Sequence, residues 1–219
     1  MAVAPSCRLY LFTPPLGPGD LAAFAPRFAA ALAAGDVASA LVRVAPEALG
    51  DAKRIVERMV ETAARSDAAI LVEGDPRLAA RAGADGAHVA GVGEPLSDAL
   101  ASLRPERIVG VGALRGRDDA MAAGEAGADY VMFGEPRRDG WTPPLAETLE
   151  RVAWWAEIFE TPCVAYAARL DDVAALAAVG ADFVALGDAV WSAPSVEQAI
   201  AAAEEAARKA AAARAEAPA

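Results

Sequence analysis

Arginines and carboxylates placed just beyond short apolar runs are the residues of this chain best suited to chemistry. Arg43 is the next-to-last residue of the run VASALVRV. A guanidinium there offers a planar, permanently charged fork to a phosphate or carboxylate. Glu73, Gly74 and Asp75 follow the run AILV, His88 lies inside GAHVA, and Arg115 follows GVGAL. Arg137 and Arg138 sit in EPRRDG, Arg169 follows AYAA, and Gly187 and Asp188 follow FVAL. If Arg115, Arg137, Arg138 and Arg169 converge, they make a cationic cluster inside an acidic protein, which is an anion pocket.

Each of these residues also has a plainer use. Arg43 can pair internally with Glu73, because a buried guanidinium needs some anion and a protein carboxylate serves as well as a ligand. His88, the single histidine, shares a strand face with Gly86 and Ala90. It reads as a packed interior residue, since no Ser or Cys is placed beside it to be activated. Arg137 and Arg138 can be solvated loop arginines. Asp188 can cap the helix after the last apolar run by accepting its orphan N–H groups.

Such positions act together only if a scaffold gathers them. Short β-rich runs alternate with longer alanine-rich stretches along the chain, the pattern of a parallel sheet covered by helices. Strands are predicted at 8–12, 38–44, 68–72, 86–90, 108–112, 130–133, 163–166 and 183–186. Eight parallel strands close a barrel, with reactive groups at the strand exits on one mouth. The expected fold is therefore a single α/β domain over 1–219, a (βα)8 TIM barrel with a closed parallel eight-stranded sheet. Period-2 alternation turns Leu41, Arg43 and Ala45 inward.

An internal repeat supports this reading. AGADGAHVAG, AGADYVMFGE and VGADFVALGD share a helix-ending glycine, an Asp in the turn and an apolar strand. Their spacing reads as successive or near-successive βα units. The segment 201–219 reads as a fraying terminal helix with i,i+4 pairs of Glu204 with Arg208 and Glu205 with Lys209.

The formal net charge of −11 argues against a nucleic-acid partner. Alanine supplies 60 residues of the apolar fraction, which points to helix packing and not to membrane. Every apolar stretch is interrupted within about a dozen positions, shorter than a membrane span requires. The first cation is Arg8, with no basic leader before it, so a cytoplasmic protein is expected. Cys7 and Cys163 lack CxxC spacing or a histidine partner and read as core thiols. Trp154 and Trp155 read as core or interface anchors, and Trp191 as a possible cover for the pocket. No glycine-rich nucleotide loop is present in the sequence.

In order, LYLFTPP, ALAAGDVASALVR, RAGADGAHV, GVGALR, AGADYVMFG, PCVAY and VGADFVALGDAV resemble the thiamine phosphate synthase and thiazole tautomerase family, from about Leu9 to Val190. The resemblance implies a (βα)8 barrel that joins a thiazole phosphate to a pyrimidine methyl diphosphate, with Mg²⁺ and basic groups holding the departing pyrophosphate. Residue by residue, it implies Gln, Arg and Lys where this chain has Leu41, Arg43 and Ala45. It implies an Asn-Asp pair at Glu73 and Gly74, with Asp75 one place late, and a metal-binding acid near Gly93 or Glu94. Asp75 and Glu94 are thus the candidate metal ligands. A Ser-Thr pair is replaced by Gly112 and Ala113, and a lysine loop by EPRRDG. A Gly-Gly phosphate turn is replaced by Tyr166, Ala167, Ala168 and Arg169, and a Ser by Asp188.

These replacements predict weak or absent turnover in that reaction. Two functions follow: a thiamine phosphate synthase-type transferase, using Mg²⁺ only if the family reaction is retained, or a non-catalytic binding or regulatory barrel. The catalytic candidates are Arg43, Glu73 and Arg138. The partners expected are a phosphorylated small molecule and, in the second reading, another copy of the chain in a homodimer. A different reaction built on Glu73, Asp75 and the arginines is a third option.

Overall fold

In a computed structural model, residues 7–137 and 140–216 are described. Strands β1 (Arg8–Leu16), β2 (Val37–Val44), β3 (Ala69–Glu73), β4 (Gly86–Ala90), β5 (Ile108–Gly112), β6 (Tyr130–Phe133), β7 (Cys163–Ala167) and β8 (Phe183–Leu186) follow one another around a closed barrel. All neighbouring pairs are parallel, including β1 with β8. Helices α1 (Leu21–Ala33), α2 (Ala52–Ala63), α3 (Pro76–Ala82), α4 (Glu94–Leu103), α5 (Arg117–Glu125), α6 (Leu145–Ile158), α7 (Val173–Ala178), α8 (Asp188–Trp191) and α9 (Val196–Glu216) lie between and after the strands. No described helix is long and apolar enough to cross a membrane.

The predicted strands are present, most with their ends within a residue. β1 is the exception, running on through Thr13, Pro14 and Pro15 to Leu16. Proline cannot donate to a ladder, and the register accordingly shifts between Phe12 and Pro15. Ala45 lies beyond β2, and its N–H donates to Leu16 O. It packs in the outer core and not inside the barrel, so alternation holds for Leu41 and Arg43 only.

Two apolar layers result. The larger lies between sheet and helices. The smaller fills the barrel with Tyr10, Phe12, Leu41, Leu71, Tyr130, Met132, Val164 and Ala185. Trp155 is fully buried in the larger one, stacked on Phe159 at 4.0 Å between ring centroids, with its indole N–H donating to Thr161 O. Trp191 also belongs there. Its indole donates to Phe12 O at 2.6 Å and its ring packs edge-on against Phe24, so it covers no pocket.

The repeat is a device of the barrel's lower end. Gly83, Gly127 and Gly180 take left-handed backbone (φ 74°, 89° and 107°), which glycine adopts without steric cost. Two residues on, Asp85, Asp129 and Asp182 each accept the backbone N–H of Ile70, Val109 and Cys163 through a carboxylate oxygen at 2.7 to 2.8 Å. The backbone N–H of the same three aspartates donates to the carbonyl of that same partner. The three copies stand before β4, β6 and β8, so they mark every second unit and not successive ones.

On α9, Glu205 receives both Arg208 and Lys209, where the sequence predicted Glu204 for Arg208. Burial pushes the Cys7 and Cys163 thiols up to about 12, and the nearby Asp182 adds to the effect. Thiolate is the reactive form. A disulfide-exchange reagent is expected to titrate neither thiol in the native protein and both after denaturation; rapid labelling of native protein would contradict this.

Candidate functional site

The C-terminal ends of the strands open on one mouth, and two clusters form there. The first joins β1, β2, β7 and β8. Arg43, half-buried, donates from Nε to Thr13 O at 2.6 Å, while its backbone N–H donates to Thr13 Oγ1 at 3.0 Å. Its guanidinium lies 5.5 Å from the centre of the Phe12 ring, a cation–π contact. Phe12 in turn meets Tyr166 edge-on at 5.4 Å. A side chain at Gly187 would come within 2.9 Å of the Tyr166 hydroxyl. Burial raises the Tyr166 phenol above its ordinary value, Asp188 raises it further, and Arg43 opposes them.

Arg43 forms no ion pair with Glu73 or with any other described carboxylate. Its internal neutralisation, expected as one option, is therefore not observed. Thr13 and Phe12 hold the guanidinium in place and leave its terminal nitrogens without a protein partner among the described residues.

The second cluster joins β4, β5 and β6 with Tyr10 of β1. His88 is buried, and its Nδ1 lies 2.9 Å from the Tyr130 hydroxyl, which lies 2.9 Å from the Tyr10 hydroxyl. Burial pushes the imidazole down to about 4, so it is neutral near pH 7. Packed interior placement is as the sequence indicated, but the tyrosine partners were not anticipated. Glu135, just past β6, reaches back so that Oε1 accepts the Ala113 N–H. Ala113 is the one non-glycine residue at positive φ (54°) among those described. A side chain on Gly112 would strike Glu135 Oε1 and would sit 2.7 Å from His88 Nε2, so only glycine lets both groups close over this strand. Burial lifts the Glu135 carboxyl above the usual carboxylate range, against the pull of the Ala113 N–H, its own N–H and Arg151.

Arg115, Arg137 and Arg169 do not join these clusters. Arg115 is paired with Asp119 and Arg169 with Asp171, both largely exposed. Arg137 lies over the Trp141 ring at 4.2 Å. Arg138 lies outside the described residues. The three described arginines are thus each held by a separate local partner and do not converge. Glu73 ends β3, exposed at the mouth beside His88 in register. Asp188 does not cap the last short helix: Gly187 is the capping residue, and Asp188 opens the first turn with no capping bond from its side chain.

Mg²⁺ takes several oxygen ligands in near-octahedral geometry. Asp75 Oδ1 instead accepts the Leu78 N–H and caps α3, and Glu94 is exposed in the first turn of α4. No group of three or more His, Cys, Asp or Glu able to hold a metal occurs among the described residues. The described side chains alone therefore do not fit a protein-built magnesium site. A cleft of about 790 Å³ opens at the opposite end of the barrel beside Asp67, Asp85 and Arg107. That end carries the strand starts and none of the groups above.

Residues 9–190 match the family described as thiamine monophosphate synthase. A thiamine-phosphate synthase of Rhodospirillum centenum is 41% identical over 194 residues, 86% of this chain and 91% of that protein. The chain belongs to the thiamine monophosphate synthase family. The thiamine-phosphate synthase of Hyphomonas neptunium is 36% identical over 197 residues, covering 86% of this chain and 87% of that protein. Among solved structures, thiamine phosphate pyrophosphorylase from Pyrococcus furiosus superposes with a TM-score of 0.74 at 21% identity, covering 94% of this chain and 98% of that one. A 3-hexulose-6-phosphate synthase from Salmonella typhimurium gives 0.74 at 15% identity, covering 92% and 99%. At these identities the likeness is one of fold, shared by the thiamine monophosphate synthase family and other barrels.

Glu135 is not among the residues that the sequence singles out, and Tyr166 enters there only as a replacement in a glycine turn. The signal available was position: Glu135 directly follows Gly134 at the exit of β6, and Tyr166 shares the inward face of β7 with Val164.

Proposed function

We propose that this chain binds a phosphorylated small molecule at the mouth of a thiamine phosphate synthase-type barrel, and that it performs the family's coupling reaction weakly or not at all. The observation that carries the binding reading is Arg43, a cation held in place at the mouth by Thr13 and Phe12 with no ion pair to any described carboxylate. Charge-assisted, bidentate contact with a phosphate is what such a guanidinium is built to make. Weak turnover is supported by the residues around it. Tyr166 fills space beside Gly187, where the resemblance implied a glycine turn for a phosphate. Asp188 adds a negative charge nearby, and Asp75 is committed to α3.

The alternative of a purely binding barrel is separated by one assay. The full chain is incubated with thiazole phosphate, pyrimidine methyl diphosphate and Mg²⁺, and thiamine phosphate is sought; formation at ordinary enzymatic rates would reject the weak-turnover reading. In parallel, pyrophosphate and thiazole phosphate are expected to raise the melting temperature. Arg43→Ala is expected to weaken that binding by about tenfold or more, equivalent to ~1.4 kcal/mol. Equal affinity in the variant would place the anion elsewhere.

A further inference from the structure

We infer that Trp191 is a positioning residue for Arg43: from the layer behind the mouth, and seated by Arg27, its indole fixes the stretch of β1 that holds the guanidinium where an anion can reach it. The inference rests on the reading of Arg43 as the anion-binding group.

The need for such a brace comes from strands of unequal length. β8 ends at Leu186, which pairs with Leu11, whereas β1 runs on to Leu16. Backbone groups face alternate sides along a strand, and the N–H of Arg8 points toward β8 while that of Leu9 points toward β2. The Phe12 carbonyl therefore faces β8, beyond its last rung, and needs a donor from elsewhere. On the other side the register with β2 shifts between Phe12 and Pro15, and Pro14 and Pro15 have no N–H to give. Both ladders thus release the chain at the place where it meets Arg43.

Trp191 supplies the missing donor. It stands at the end of α8, and its indole N–H reaches Phe12 O at 2.6 Å. The side chain itself is pinned by α1: its ring centroid lies 4.8 Å from that of Phe24, edge-on, and 6.5 Å from that of Phe28. The Trp191 carbonyl, an orphan at a helix end, accepts Arg27 Nη2 at 2.6 Å. α1 therefore holds this residue by ring and backbone together.

The peptide link from the Phe12 carbonyl to the Thr13 N–H is planar and rigid, so fixing the Phe12 oxygen sets where Thr13 begins. Thr13 offers its carbonyl to Arg43 Nε and its hydroxyl to the Arg43 N–H, and the Phe12 ring lies 5.5 Å from the guanidinium. All three contacts come from the two residues on either side of that link. A cation held this way does not have to be ordered again when an anion arrives.

The test uses the full chain with ¹⁵N-labelled arginine and reads two quantities, affinity for pyrophosphate and the Arg43 Nε–H resonance, identified as the one missing in Arg43→Lys. Trp191→Phe keeps an aromatic ring against Phe24 and removes the donor. It is expected to weaken pyrophosphate binding about fivefold or more, to shift the Nε–H resonance and to speed its exchange with solvent. Trp155→Phe is the matched control, since it removes another buried indole bond, the one to Thr161 O. There the urea midpoint is expected to fall to a similar extent, while affinity stays within about twofold and the resonance does not move. Arg27→Ala, a change at an exposed residue, is expected to shift the resonance in the same direction as Trp191→Phe, and Arg27→Lys to restore it. An unmoved resonance or unchanged affinity in Trp191→Phe, or an equal loss of affinity in Trp155→Phe, would each overturn the assignment. Should Trp191→Phe fail to fold, Arg27→Ala decides alone, and an unmoved resonance there overturns it. The resonance is read without ligand, so a wild type that binds no pyrophosphate refutes the anion site and not the brace.

Discussion

Alanine at position 110 is expected to destabilise the barrel by roughly 3–5 kcal/mol, combining overpacking of about 1–3 with the loss of two buried hydrogen bonds at about 1 each. Gly110 lies on β5 against Tyr130, and a methyl group there would overlap the phenol ring and its hydroxyl. The ring cannot step aside cheaply. It is buried, stacked on His88 with planes 14° apart, and bonded to Tyr10 and His88 at once. Moving it leaves both partners unsatisfied inside an apolar barrel. Urea unfolding measures the loss, and a double-mutant cycle identifies its cause. In a Tyr130→Leu background, which lacks the overlapping atoms, Gly110→Ala is expected to cost less than half as much. Additive costs would show that the strain lies elsewhere.

His88 should make the fold acid-labile. The imidazole titrates near 6.5 when free but is pushed down to about 4 in the barrel. Between these values the unfolded chain carries a proton that the folded chain refuses. Unfolding therefore takes up a proton, and stability, complete above pH 6.5, falls as pH drops toward 4. Across the window the loss amounts to about 3 kcal/mol from this residue. Carboxylates titrate in the same range, so the informative quantity is a difference. Stability of the wild type and of His88→Gln is measured by urea unfolding at a series of pH values. The wild type is expected to lose about 3 kcal/mol more than the variant between pH 6.5 and 4. Parallel curves would remove His88 from the account.

The architecture was legible because its signals are local. Apolar runs bounded by glycine and aspartate gave the strands, and their count gave closure. Where β1 continued through Pro14 and Pro15, the local signal misled, since a bulge let the strand absorb residues that ordinarily end one. Alternation correctly turned Arg43 and His88 toward the barrel axis. It stopped being informative at Ala45, where the strand had ended.

The site was only half legible for a related reason. Strand periodicity tells which way a residue faces, but not which side chain arrives from a neighbouring strand. Glu135 bends back from beyond β6 to Ala113 beyond β5, and Tyr130 spans the interior to meet His88 and Tyr10. Those approaches depend on glycines at 110 and 112, whose importance is invisible until the facing residues are known. The loop arginines failed for the opposite reason. Nearby carboxylates such as Asp119 and Asp171 were present in the sequence and captured them locally.

The aspartates below β4, β6 and β8 have a consequence for how freely this molecule can change. Each binds its neighbour through side chain and backbone together, so sliding a strand by one position would forfeit both links at that point. Strand stagger is thereby locked at the foot of the cylinder, far from Arg43 and Glu135. Remodelling of the upper loops, even drastic remodelling, leaves those locks untouched, and one barrel can exchange its ligand repertoire while its frame stays in register.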